Sequence, residues 1–322
     1  MKVGIVGLGY MGAAHARVYR RIEGCELVGI CDADSGKKSL ADTYQTTFFS
    51  DYNELFREGL DAVSICTPTV SHAEIANSAF ECGCHVLVEK PFAFDVEEAY
   101  GVLKKAQGSG RLLGVGYIER FNPAIRKLKE LLDVSEIFST VSLRFGPGGP
   151  RIKDIGVLMD LGSHEVDLLN YVMGVRPKVL SSQFSFSSNG RFEDYAYVSL
   201  SYGHVHSHME TSWLPQYKKR HLSVYGNERF FALDYAQQTL KSCRAPPKVQ
   251  VEHVSWQDFL WMSRNIEEEI PVTPGEPLNL ELLCFLESIR KGELVEPLCD
   301  GCAAIDVLEI VDEAKAVSER RF

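Results

Sequence analysis

The first twenty residues restrict the fold more than any other stretch. Lys2-Val3-Gly4-Ile5-Val6 is a short β-rich apolar run, and Gly7-Leu8-Gly9-Tyr10-Met11-Gly12 follows at once, ahead of a helical pattern through Arg20. This is G-x-G-x-x-G in the setting it needs, strand before and helix after. Gly7 permits the tight turn, Gly9 lets the backbone approach a pyrophosphate, and Gly12 lets helix and strand pack closely. The helix start offers free N–H groups and a positive dipole end to an anion. Gly7, Leu8, Gly9, Tyr10, Met11 and Gly12 are therefore expected to cradle a dinucleotide.

A second strand, Glu26 to Cys31, ends at Asp32. That places a carboxylate about twenty residues past the last glycine, where the ribose hydroxyls of the adenosine half lie. A carboxylate accepts hydrogen bonds from a free 2′-OH and repels a 2′-phosphate, so NAD is expected over NADP. Lys37 and Lys38 act in the opposite sense, because cations accommodate the phosphate.

Strands and helices keep alternating: a strand over Ala62 to Cys66, a helix from about Ser71 to Cys82, a strand ending in Val88, a helix from Asp95 to about Gln107, and a strand from Leu112 to Val115. This series specifies a doubly wound parallel sheet, an α/β Rossmann domain over residues 1–118. Thr67 and Pro68 form the turn beside the expected dinucleotide. His72 either caps the next helix or touches the cofactor.

The charged triplet Glu89-Lys90-Pro91 stands at the carboxyl end of the apolar run His85 to Val88. In open α/β sheets ligands sit at that end. A lysine there is a movable ammonium able to hold a substrate hydroxyl or exchange its proton as the C–H bond breaks. The proline pushes Lys90 out of helical space and so aims it.

Residues 119–322 read as a C-terminal α+β domain with an open, mostly antiparallel sheet. Asn122-Pro123 has N-cap and N1 chemistry ahead of a helix from Ala124 to Leu132. Arg120 and Asn122 are thus either substrate ligands or hinge residues. Arg151 and Lys153, in a loop after Gly146-Pro147-Gly148-Gly149-Pro150, either clamp a diphosphate or belong to a solvated loop. Met159 to about Val172 reads as a helix in which Asp160 and His164, four apart, share a face. A carboxylate that orients an imidazole suits acid/base work, and a satisfied structural histidine is the competing reading. Strands from Val179 to Leu233 build the sheet, which needs helices on one face and a second subunit on the other. Two amphipathic helices, about Leu278 to Lys291 and Cys302 to Arg320, follow.

The net charge of -10 over 322 residues argues against a nucleic-acid partner, which needs a dense basic face. No apolar run approaches the ~20 residues of a membrane span. Nine cysteines, several in apolar strand contexts, suit free thiols in a reducing cytoplasm. Cys82-Gly83-Cys84-His85 lacks a second spaced pair. His204, His206 and His208 alternate without a cysteine or carboxylate to complete a ligand set, so no metal is expected.

Gly7-x-Gly9-x-x-Gly12, Glu89-Lys90-Pro91 and Asp160-x-x-x-His164, in that order, resemble the glucose-fructose oxidoreductase / inositol dehydrogenase / MocA (Gfo/Idh/MocA) family over essentially the whole chain. The resemblance implies NAD(P)-linked oxidation of a sugar or polyol hydroxyl. It places Lys90 beside the nicotinamide, makes His164 the acid/base supported by Asp160, sets Thr67 to His72 and Glu89 along the cofactor, and implies a cis bond before Pro91. It also implies assembly as a homodimer or homotetramer through the C-terminal sheet. Glu119 to Ala124 and Pro150 to Val157 are similar to stretches of microbial, notably archaeal, UDP-N-acetylglucosamine 3-dehydrogenases. Asp154-Ile155-Gly156-Val157 stands where a glycine-rich run is usual in the family, which favours the nucleotide-sugar branch. Rival expectations are a free-polyol dehydrogenase, such as one for inositol, and a cofactor-bound sensor without turnover.

Overall fold

The computed structural model describes residues 1–147, 155–186, 192–244 and 267–319. Arg151 and Lys153 lie outside the described residues. The chain forms two compact units, Met1–Phe121 with Glu276–Glu309, and Asn122–Gly275 with Ile310–Phe322.

In the first unit the elements run β1 (Lys2–Val6), α1 (Tyr10–Tyr19), β2 (Glu26–Cys31), α2 (Leu40–Tyr44), β3 (Thr47–Phe49), α3 (Tyr52–Phe56), β4 (Ala62–Ile65), α4 (His72–Glu81), β5 (His85–Glu89), α5 (Val96–Ser109) and β6 (Leu113–Gly116). These strands pair in parallel in the order β6-β5-β4-β1-β2-β3. Parallel strands covered on both faces read as unbroken apolar runs. Val3, Ile5, Val63, Ile65, Val86 and Val88 accordingly have no exposed surface. The strand order reverses between β1 and β4, which opens a crevice at their carboxyl ends. Both the Gly7 turn and the Thr67 turn leave the sheet there, and Cys66 N–H donates to Val6 O at 2.7 Å.

The chain returns to this unit near its end. The division expected at residue 118 assigned everything after it to a second domain, but Glu276–Glu309 clusters with the first. The reason is pairing and packing. After β6 the sheet gains an antiparallel edge strand, β15 (Cys299–Asp300). Leu282 and Phe285 of helix α8 (Pro277–Lys291) join Val3, Ile5 and Tyr19 in one buried cluster.

In the second unit, helix α6 (Pro123–Leu131) precedes β7 (Ile137–Phe145), a π-helical turn over Leu158–Gly162, and α7 (Ser163–Met173). Then come β8 (Lys178–Ser185), β9 (Tyr195–Tyr202), β10 (Val205–Ser212), β11 (Lys219–Gly226), β12 (Arg229–Asp234), β13 (Thr239–Arg244) and β14 (Glu267–Ile270). Among the described residues they form one sheet, β14-β13-β12-β11-β7-β10-β9-β8. Every neighbouring pair is antiparallel except β7 with β10, which run parallel. The open, mostly antiparallel sheet of the sequence reading is thus present. His206 and His208 sit on its outer face and His204 precedes the strand. Helix α9 (Gly301–Glu319) closes the described chain. Among the described residues no helix is long and apolar enough to cross a membrane.

Candidate active site

The glycine turn is built as its spacing requires. Gly7 has φ +92°, and a Cβ there would lie 2.6 Å from the Cys66 carbonyl carbon of the neighbouring strand. A Cβ on Gly12 would collide with the Gly7 carbonyl oxygen, so helix and turn touch only because both residues are glycine. A Cβ on Gly9 would meet nothing within 4 Å. Gly9 is also the N-cap of α1 and supplies no side-chain cap to the first-turn N–H groups. An open approach beside uncapped helical N–H groups is what a pyrophosphate needs. The residues present therefore fit a dinucleotide.

Asp32 follows β2 and lies against this turn. Its Oδ2 accepts the Leu8 N–H at 2.7 Å and the Lys37 ammonium at 3.0 Å, while Oδ1 accepts the Asp34 N–H at 2.9 Å. Burial raises the Asp32 pKa, but the Asp34 and Leu8 N–H groups and the Lys37 ammonium outweigh it and hold the carboxyl below its ordinary value.

The next two carboxyl ends carry the other first-unit candidates. After β4, Ser71 Oγ does not cap α4. It donates to Thr67 Oγ1 or Pro68 O, each at 2.9 Å, and tightens the Thr67-Pro68 turn. His72 is 1% exposed, and its Nδ1 and Nε2 lie 2.9 Å from Pro91 O and 2.8 Å from Thr67 O. Burial lowers the His72 pKa, and the neutral ring has one N–H to donate, so the imidazole sits between the carbonyls of two loops and bonds one of them at a time. After β5, Lys90 is partly exposed and its bond to Pro91 is cis, as the resemblance implied. Glu89 was also expected along the cofactor. It is 8% exposed and its Oε1 accepts from His15 Nε2 at 3.0 Å, so it faces α1. Atoms of His15, Cys66 and Glu89 lie within 4.8 Å of one another. Burial first, then the Glu89 and Glu281 carboxylates, push the Cys66 thiol well up, and the hydrogen bond within this group is that of His15 with Glu89. Arg120 is 8% exposed, in a 3-10 turn over Ile118–Phe121.

In the second unit Asn122 is spoken for. It is 2% exposed, its Oδ1 caps α6 through the Ala124 N–H at 3.1 Å, and its Nδ2 donates to Tyr235 O at 2.8 Å. Both ends of its side-chain amide are thus engaged within the second unit, at the start of α6 and at Tyr235.

Asp160 lies in the π-helical turn and not in regular α-helix as expected. Such turns widen a helix and recur at functional sites. Three groups hold it. Glu193 accepts the Leu158 N–H at 3.1 Å through its side chain and the Val157 N–H at 2.9 Å through its carbonyl. A Cβ on Gly156 would fall inside the Glu193 carboxylate, so glycine is required there. Trp213 Nε1 donates to Asp160 Oδ2 at 3.2 Å. Asp160 is partly exposed, whereas His164, at the start of α7, is 7% exposed. Beneath them Glu165, fully buried, accepts from Arg144 Nη1 at 3.2 Å, from Tyr235 OH at 2.6 Å, and from Ser142 Oγ. A carboxylate so held anchors α7 to β7.

The sequence reading missed His15, Glu193, Trp213 and the Glu165 cluster. Only His15 carried a local signal: it is a polar residue within the buried stripe Gly12, His15, Ala16, Tyr19 of α1.

Comparisons with known proteins agree with this architecture. Residues 1–117 match the family model described as an oxidoreductase family with an NAD-binding Rossmann fold, and residues 139–231 match the GFO/IDH/MocA C-terminal domain. The UDP-N-acetylglucosamine 3-dehydrogenase of Acidithiobacillus ferrooxidans is 28% identical over 99% of this chain and 97% of its own. Its crystal structure superposes with a TM-score of 0.86, covering 99% of this chain and 98% of that one. The scyllo-inositol 2-dehydrogenase (NAD(+)) of Bacillus subtilis is 27% identical over 64% of this chain and 63% of its own. Levoglucosan dehydrogenase, solved with NADH and levoglucosan, shares the fold at a TM-score of 0.84 and 19% identity, covering 99% of this chain and 97% of that one. With both of its units matched, over more than half of its length, this chain belongs to the GFO/IDH/MocA family and is an NAD-binding oxidoreductase that acts on a CH–OH group.

Proposed function

We propose that the protein oxidises a ring hydroxyl of a sugar to a ketone, and that the substrate is a UDP-N-acetylhexosamine oxidised at C3. The observation that carries the substrate is the extent of likeness. The UDP-N-acetylglucosamine 3-dehydrogenase aligns over 99% of this chain, while the scyllo-inositol enzyme aligns over 64%. Arg120, Arg151 and Lys153 are the proposed cations for the diphosphate.

NAD, when bound, accepts the hydride leaving the ring carbon. The Gly7–Gly12 turn and Asp32 hold it, with Thr67 and Pro68 along the crevice. NAD is favoured over NADP because the Lys37 ammonium pairs with Asp32 at 3.0 Å and partners that carboxylate. Lys90 and His164 serve the reacting hydroxyl, one taking its proton while the other holds the oxygen in place. Asp160 orients the histidine. The outer face of the second sheet, where Phe138 and Tyr225 are exposed and pack ring to ring at 6.4 Å, is the proposed homodimer or homotetramer surface.

The test is a screen of NADH formation over UDP-hexoses, UDP-N-acetylhexosamines and free polyols. UDP-N-acetylglucosamine should give the highest kcat/KM. Faster turnover of inositol or another free polyol would replace this substrate with the rival one.

A further inference from the structure

We infer that His15 is a positioning residue for the reaction. By holding the Glu89 carboxylate from helix α1, it fixes the end of β5 and therefore the direction in which the adjacent Lys90 projects. This inference rests on the role proposed above for Lys90.

The pair is enclosed, and of the His15 ring nitrogens Nδ1 has no hydrogen-bond partner among the described residues. His15 is 1% exposed, and its Nε2 meets Glu89 Oε1 at 3.0 Å. Its ring packs edge-on against Tyr19, centroids 6.2 Å apart, and Tyr19 is itself held through a 2.8 Å hydroxyl contact with Ser64 of β4. On the other side the carboxylate lies over Gly116 of β6. A Cβ at Gly116 would stand 3.2 Å from the Glu89 carboxyl carbon and from both of its oxygens, so the site is shaped to the carboxylate. The remaining ionisable groups nearby are Cys66, kept as a thiol by burial, and Glu281 of α8.

Lys90 thus sits between two anchored neighbours. The side chain before it is held by His15, and the carbonyl after it, on Pro91, lies 2.9 Å from Nδ1 of the buried His72. A polar pair this deep costs desolvation that an apolar pair would avoid. What the polar pair adds is direction: a hydrogen bond fixes an orientation that apolar contact leaves loose. His15 lies three residues past Gly12, on the helix whose N-terminus faces the pyrophosphate. One helix therefore sets both where the cofactor lies and where Lys90 points.

The test compares His15→Leu, His15→Gln, His15→Asn and Glu89→Gln with Lys90→Met in the full chain. Readouts are kcat on the best substrate of the screen, the NAD dissociation constant by fluorescence, and Tm. His15→Leu should lower kcat roughly 10- to 100-fold while NAD affinity stays within about twofold, the signature of a misplaced group and not of a damaged cofactor site. His15→Gln, whose amide nitrogen reaches about as far as Nε2, should recover most of the loss. His15→Asn, which reaches only as far as Nδ1, should not. Glu89→Gln tests the same link while preserving shape, and should lower kcat without weakening NAD. The inference is overturned if His15→Leu keeps wild-type kcat, if it loses NAD affinity in proportion to kcat, or if Gln rescues no better than Asn. Wild-type turnover in Lys90→Met overturns this inference together with the role of Lys90. An inactive Lys90→Met beside a fully active His15→Leu overturns this inference alone.

Discussion

The Asp32 carboxylate accepts the Leu8 N–H at 2.7 Å, tying the acidic end of β2 to the glycine turn after β1. One side chain thereby shapes the turn and, in the role proposed above, presents the charge that meets the ribose, which would couple cofactor choice to turn geometry.

Replacing Asp32 with Ala should therefore weaken NAD and narrow the gap to NADP. A lost hydrogen bond to a charged group is worth about 1.5–3 kcal/mol, or roughly 10- to 100-fold in the NAD dissociation constant. Titrating both cofactors against wild type and variant checks this. An unchanged NAD:NADP ratio would remove Asp32 from cofactor selection.

The same contacts give a pH signature. Burial raises the Asp32 pKa and the Asp34 N–H, the Leu8 N–H and Lys37 together lower it further, so the folded value lies below the unfolded one. Stability from this group is then fully present above the ordinary carboxylate value of about 4 and is lost as pH falls through the lower folded value. Asp32→Asn should trail wild type in urea unfolding at neutral pH, and the margin should shrink below about pH 4. A constant margin across that range would contradict the assignment.

Trp213→Phe keeps the ring and removes the donor to Asp160. We expect kcat to fall about tenfold, in the range of a hydrogen bond to a charged acceptor, with Tm little changed. Steady-state kinetics beside a thermal melt would separate this from general damage. Unaltered kcat would mean that the indole does not orient Asp160.

Arg144 and Glu165 form a buried pair with side chains 6% and 0% exposed. Arg144→Met leaves the carboxylate to Ser142 and Tyr235 and should cost about 3–5 kcal/mol by urea denaturation. Replacing both partners with apolar residues should recover much of that loss. A negligible cost for the single variant would show that this pair does not anchor α7.

What the sequence made legible was local. The glycine turn, the parallel strands and the carboxyl-edge position of Lys90 follow from short patterns whose physics is complete within a few residues. The N-cap role of Asn122 was legible in Asn122-Pro123, but its bond to Tyr235 O, 113 residues away, was not, and neither was the contact of His72 with Pro91 O, 19 residues away. The return of Glu276–Glu309 to the first unit rests on a strand of two residues, Cys299–Asp300, too short to leave a periodic trace, and on packing of α8 against residues of β1 and α1 far away in the sequence. The π-helical turn around Asp160 has the same apolar spacing as an α-helix. It is set by Glu193 and Trp213, which the spacing does not register.

The central claim is that Lys90 and His164 serve one hydroxyl, and a double-mutant cycle tests it most directly. Lys90→Met, His164→Ala and the double variant would be compared in kcat on the best sugar substrate, with NAD affinity as the control. Each single variant should lose at least about 100-fold while still binding NAD, and the double variant should be scarcely slower than the worse single one, as for groups that act as a unit. Losses that multiply, or wild-type turnover in either single variant, would contradict the account.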